Sequence, residues 1–136
     1  MNHYDDLHSV SVAELIAASN WQAQYRLITQ WGKLIRHKPE LRVADYLIRG
    51  CETPAWLAHK LEDNRHHFLF DSDSKIINGL AALVLAQLEN KTSADVQQLD
   101  IAGLLHSVGL EKHLTPSRNN GLQSILVRAK ALVESV

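Results

Sequence analysis

An α+β fold, with a three-stranded antiparallel sheet flanked by helices, is predicted by three features of the sequence. Apolar residues recur at spacings of three and four before residue 36 and again after residue 75, the intervening stretch holds short apolar and alternating runs, and capping or turn residues stand at the seams. The order helix, helix, three strands, several helices matches a sheet covered by helices.

Taken in order, Ser11 with Glu14 reads as a capping box that opens a short helix through Val12, Leu15 and Ile16, ending near Asn20. Ser19 with Gln22 forms a second box. Trp21, Tyr25, Ile28, Trp31 and Ile35 then share one helical face, and that helix should stop before Pro39, which disfavours helical geometry in the residue preceding it. Three strands are expected next: "YLIRG" at 46–50, "AWLAHKL" at 55–61, and "RHHFLF" at 65–70 with Phe68 and Phe70 on one side. Glu62 to Asn64 is the turn between the last two, since Asp and Asn tolerate left-handed geometry.

After "DSDS", whose residues suit a helix N-terminus, Ile76, Ile77, Leu80, Leu83, Val84 and Leu88 mark the most hydrophobic helix and the expected centre of the fold. Thr92 and Asp95 open a short helix, and "IAGLLHSV" forms another before Gly109. Thr115 is placed to cap the last helix and Pro116 fits its first position, with Leu122, Ile125, Leu126, Ala129 and Val133 facing inward. No internal repeat or linker interrupts the 136 residues, so one domain over 1–136 is expected, with residues 1–10 a flexible N-terminus.

Composition narrows the function classes. Hydrophobic residues make up 46% and charged residues 21%, the profile of a globular chain. The formal net charge of -1 supplies no field for nucleic acid or anionic membrane, and no Lys/Arg block compensates locally. "MNHYDDLHSV" lacks the apolar segment of a secretory signal, and "LAALVLA" is too short to cross a bilayer. A cytoplasmic protein with a reduced thiol is the resulting expectation.

That thiol, Cys51, is the only one in the chain, which rules out an internal disulfide. It is either a small buried hydrophobe or a reactive group. Gly50 lets the backbone turn and Pro54 removes an amide donor, so Cys51 is placed in a loop, flanked by Arg49 and Glu52. Thiol–disulfide redox chemistry usually needs a second cysteine, which is missing. Cysteine hydrolysis needs a histidine base, for which His59, His66, His67 and His113 are candidates, although nothing beside Cys51 resembles a protease nucleophile turn. Adjacent His66 and His67 point to opposite faces of a strand, which argues against a zinc site. A thiol that accepts a group from another protein remains open; Glu52 opposes its ionisation and Arg49 favours it. Asp71 and Asp73 read as a strand end and helix cap in preference to a carboxylate pair, Trp56 as core or partner surface, and Arg118 as a cation that either pairs with a carboxylate or faces the thiol loop.

Three blocks, "GCETPAW" at Gly50 to Trp56, "DSDSKIINGL" at Asp71 to Leu80 and "HLTPSRNNGL" at His113 to Leu122, together resemble the SufE family, sulfur acceptors that work with cysteine desulfurases. The similarity runs from about Trp21 to Ala131. It implies a fold related to the IscU scaffold, with three antiparallel strands flanked by helices. It also implies that Cys51 takes sulfur as a persulfide from a pyridoxal-phosphate cysteine desulfurase of the SufS or CsdA kind. A downstream acceptor protein would receive it, most naturally for iron–sulfur cluster assembly. Gly50, Glu52, Trp56, Asp73 and Arg118 would be the binding residues, and the chain itself would need neither cofactor nor metal and would be a partner rather than an enzyme. With Cys51 alone, it would be a carrier and not a cluster scaffold. Thr53, Pro54, Ala55 and Tyr46 depart from the family's usual pattern, and Glu52 with Leu57 resembles the CsdE branch while "HLTPSRNNGL" resembles SufE proper. The alternative from another class is a non-catalytic binding domain in which Cys51 only packs.

Overall fold

In the computed structural model, which describes residues 4–136, α1 (Val12–Ala17) and α2 (Trp21–Gly32) lead into a hairpin of β1 (Ala55–Glu62) and β2 (Arg65–Ser72). Four helices follow: α3 (Lys75–Ala86), α4 (Ser93–Gln97), α5 (Ile101–Val108) and α6 (Pro116–Glu134). The class is α+β, but the sheet among the described residues has two strands, not three.

The expected first strand is the correction. Ala44–Tyr46 is a single 3₁₀ turn, and only Leu47 forms a bridge, to Trp56, followed by the Ile48 N–H donating to the Ala55 carbonyl at 2.8 Å. Of the run "YLIRG" only Ile48 is buried, while Tyr46 and Leu47 are about two-fifths exposed. One inward residue does not anchor a ladder, and Gly50, at φ +94°, takes the chain out of extended geometry.

The hairpin itself follows its sequence closely. Asp63 and Asn64 both have positive φ, 53° and 64°, the two-residue turn whose twist suits the flanking strands. The register pairs Leu57 with Phe70 and His59 with Phe68. Strand alternation then sends Phe68, Phe70 and His66 to the core face and His67, Leu69 and Asp71 to the other.

α3 is the centre: Ile76, Ile77 and Leu80 through Leu85 are all buried, and Ser74 caps it by accepting from the Ile77 N–H. It packs on α2, where Gly79 sits so close to the Ile28 carbonyl that a Cβ would collide with it. α6 packs on the other side through Leu122, Ile125, Leu126, Ala129 and Val133, as its spacing predicts. Thr115 caps α6 with Pro116 at its first turn, and Thr92 with Asp95 completes a capping box on α4. α2 is capped one residue later than expected, by Asn20 on the Ala23 N–H, because the shorter Asx side chain at the last extended residue reaches that donor.

Residues 1–3 of the expected flexible N-terminus lie outside the described residues, while Tyr4 and Asp5 contact the rest of the fold. Tyr4 stacks on His67 at 4.4 Å, and Asp5 is buried against Lys38, 2.5 Å from its Nζ. Lys38 also donates to the Arg36 and Phe70 carbonyls, so its three donors are spent and the buried charge is neutralised. This clip covers the outer face of the hairpin.

Candidate functional site

Cys51 lies where the chain leaves Ile48 and has not yet entered β1. Gly50 suits the φ of +94° there, and a Cβ would come to 2.6 Å from Ser124 Oγ on α6, so that hydroxyl would have to turn aside. The turn lays Cys51 against the same helix, with its Sγ 3.9 Å from the Gly121 carbonyl. The thiol is half-buried, and burial pushes its pKa up. Neither Arg49 nor Glu52, both exposed, is among the causes of that shift. A long S–H···O contact is the one hydrogen bond the thiol makes among the described residues. Pro54, which follows, begins the strand by accepting at its carbonyl from Ser72 Oγ at 2.9 Å.

A second group of side chains gathers at the stem of this loop. Trp56, half-buried on the outer face of β1, stands opposite Asp71 and carries the Arg42 guanidinium 4.6 Å from its ring centroid. Arg42 Nε donates to Asp71 Oδ2 at 2.9 Å, and its two terminal nitrogens grip Asp73 at 2.7 and 3.3 Å. His37 meets Asp71 at 3.2 Å. Burial pushes the Asp71 carboxyl up, but the hydrogen bonds from Arg42, from the Lys38 backbone and from His37 outweigh it and hold it below the usual carboxylate range. Arg42 does the same to Asp73 by direct hydrogen bonding.

Arg118 lies on α6 one turn before Gly121, so it shares the helix that supports the thiol. Its guanidinium, however, lies 5.9 Å over Tyr25 and pairs with no carboxylate among the described residues. Tyr25 in turn meets the edge of Trp21, which stacks on His113 at 5.1 Å.

Cys51, Gly50 and Glu52 thus share the loop, Trp56 and Asp73 share its stem, and Arg118 stands on the helix behind. None of the four histidines weighed as a base bonds to the thiol. His59 Nε2 and His66 Nδ1 are 2.8 Å apart, His66 Nε2 meets Ser93 Oγ at 2.8 Å, and His67 bonds Glu89 on the opposite face. Among the described residues no group of three His, Cys, Asp or Glu side chains could hold a metal. A cleft of about 660 Å³ between α5 and α6, lined by Leu105, Leu114, Asn119 and Gln123 among others, does not include Cys51.

Arg42, His37, Gly121 and Ser124 are the members that the sequence reading missed. Gly121 and Ser124 are spaced three apart on one helical face, a pattern compatible with a close approach, whereas a single Arg in a loop gives no such signal.

Comparison with known proteins shows the family and supports the fold. The family model SufE, described as an Fe-S metabolism associated domain, matches residues 10–133. The sulfur acceptor protein CsdE of Escherichia coli is 34% identical over 109 residues, covering 79% of this chain and 74% of that protein. An uncharacterised SufE-like protein of Rhizobium meliloti is 32% identical over 119 residues, covering 84% and 85%. The solution structure of a hypothetical protein from Thermus thermophilus superposes with a TM-score of 0.72 over 90% of each chain at 22% identity, which supports the fold alone. By the extent of that family match and by these relatives, the chain belongs to the SufE family.

Proposed function

We propose that this protein is a cytoplasmic sulfur acceptor and activator of a pyridoxal-phosphate cysteine desulfurase, taking sulfur onto Cys51 and passing it to a further acceptor for iron–sulfur cluster assembly. The observation that carries the reading is the thiol itself: a lone cysteine on a glycine-turned loop, seated on α6 by one long contact, with no base or metal-binding cluster beside it among the described residues. Family membership and the printed role of the E. coli relative support it.

The chemistry balances without an added oxidant. Cys51 loses its proton, and its thiolate attacks the terminal sulfur of the persulfide held on the desulfurase. A bond forms between Sγ and that sulfur, the desulfurase's S–S bond breaks, and its cysteine leaves as a thiolate with the electron pair. Burial raises the pKa of the resting thiol and so favours its protonated form, and docking that lifts the loop from its seat would speed transfer. Gly50, Glu52, Trp56, Asp73 and Arg118 are the residues we assign to the docking face.

Intact-protein mass spectrometry after incubation with a desulfurase and free cysteine tests the reading. A reductant-labile gain of one sulfur atom is expected, absent in Cys51→Ser together with any stimulation of the desulfurase. No such gain in the parent protein sinks the proposal. The half-burial of Cys51 also suits a non-catalytic domain with a structural cysteine; there, a desulfurase would fail to accelerate alkylation of the thiol.

A further inference from the structure

Arg42 binds together residues that the sequence kept apart. It ends the 3₁₀ turn Pro39–Leu41, yet it reaches Asp71 and Asp73 at the far end of β2 and covers Trp56 on β1. Those contacts surround the stem of the thiol loop: Leu47 bridges to Trp56 before the loop, and Ser72, between the two aspartates, bonds the Pro54 carbonyl after it.

The partners differ in a way that separates structure from presentation. The Asp71 side chain is 2% exposed and fully occupied by Arg42 and His37, so it needs Arg42 to be buried as an anion. The Asp73 side chain is 79% exposed, and a solvated carboxylate on a helix-cap loop needs no partner to be stable. Arg42 nevertheless grips it with both terminal nitrogens. Such a fork fixes the plane of the carboxylate and leaves its outer lone pairs directed at solvent. Asp73 thus keeps acceptor lone pairs open to a cation approaching from solvent, whereas Asp71 has none to spare.

We propose that Arg42 is a positioning residue of the docking face, holding Asp73 and the Trp56 ring in the orientation met by a cationic side chain of the desulfurase. The proposal rests on the sulfur-acceptor reading. Arg42 does not touch the thiol, so it sets how tightly the partner docks rather than how the sulfur moves. Lysine would keep the charge and lose the fork, which makes Arg42→Lys the informative conservative change.

The test titrates a purified cysteine desulfurase with the parent protein, Arg42→Lys, Arg42→Gln and Asp73→Asn, recording half-saturating concentration and maximal stimulation separately. Loss of one well-oriented ion pair at an interface predicts that Arg42→Gln and Asp73→Asn each raise the half-saturating concentration by about tenfold, with the same maximum and Arg42→Lys in between. Combined, Arg42→Gln and Asp73→Asn should do little more than either alone, since one acts through the other. Loading of Cys51 by inorganic polysulfide, which needs no docking, should be equal in all variants. Asp73→Asn leaves the buried Arg42–Asp71 pair intact, so it answers even where Arg42→Gln unfolds. Half-saturation within twofold of the parent in folded variants, or a lowered maximum accompanied by slower polysulfide loading, overturns the proposal. A parent protein that never takes sulfur from the desulfurase removes the sulfur-acceptor reading and this proposal together, whereas unshifted variants of a competent parent remove only the role of Arg42.

Discussion

The two ends of the hairpin hold comparable sets of polar side chains and use them in opposite ways. At the turn end, His66 is fully buried and bonded at both ring nitrogens, to His59 and Ser93, while His67 is closed off by Glu89 and Tyr4. At the loop end, Asp73 and His37 are exposed through most of their side chains, and Cys51, packed at the edge of the core, makes one long hydrogen bond among the described residues. Buried polar groups that are fully satisfied specify packing, whereas groups held in place but left facing solvent are available to a partner. The three histidines of the hairpin, His59, His66 and His67, stand out in the sequence, but their hydrogen bonds assign them to the architecture. The lone thiol has the weaker polar contacts.

That contrast is broken most forcefully by His66→Ala. Removing a buried ring and leaving His59 and Ser93 without their partner should cost about 2–4 kcal/mol of stability. Chemical denaturation measures the loss. At a temperature where the variant stays folded, sulfur loading of Cys51 should equal that of the parent. Lost loading in a folded His66→Ala protein would show that the turn end takes part in function after all.

Gly50→Ala probes the other end. A Cβ at φ +94° beside Ser124 Oγ introduces strain of order ~1–3 kcal/mol if the loop stays seated. The loop has an escape that the buried histidine lacks, because only Ile48 anchors its upstream side in the core. We expect a smaller fall in denaturation midpoint than for His66→Ala, with faster alkylation of Cys51. Faster unfolding with unchanged alkylation would mean that the loop is part of the core after all.

The structure explains which of these features could be read in advance. α3 and α6 were legible because capping residues and a 3.6-residue period agree, and the hairpin because Asp63 and Asn64 supply the left-handed pair that its turn requires. The apolar content of "YLIRG" suggests a strand, but only Ile48 of that run turns inward. Cys51 and Gly50 announced themselves by residue type and order. Arg42 could not, since its partners lie 29 and 31 residues away and no local pattern records such a pairing. Asp5 was equally silent, its partners Arg36 and Lys38 being 31 and 33 residues distant.

A milder probe of the turn end is acid. His59 and His66 are both held below the ordinary histidine range, chiefly by burial, with His66 and His67 adding to the shift of His59 and His67 to that of His66. An unfolded histidine titrates at roughly 6.5, so below that value the unfolded chain binds protons that the folded pair resists. The stability due to the neutral pair is therefore complete above about 6.5 and is lost as pH falls towards the folded values. Melting temperature should be level above neutrality and decline between about pH 6.5 and 5, before the carboxylates titrate. The decline should shrink in His59→Gln; an unchanged slope would show that the pair is solvated.

The smallest effect concerns the thiol, and it separates shelter from activation. Burial raises the Cys51 pKa, so the folded protein favours the thiol, an advantage complete below the unfolded value and lost as pH rises through the folded one. The alkylation rate of the free protein should therefore rise with pH through a midpoint above the roughly 8.5 of an ordinary thiol. Unfolding the chain should bring the midpoint back to that value. Gly50→Ala should move it partway if the shelter is the seat of the loop on Gly121 and Ser124, whereas His66→Ala, at the far end of the hairpin, should not move it. A midpoint below the ordinary value would mean that Arg49 or the positive end of α6 activates the thiol at rest. Docking would then have only to deliver sulfur, and would not need to expose the nucleophile.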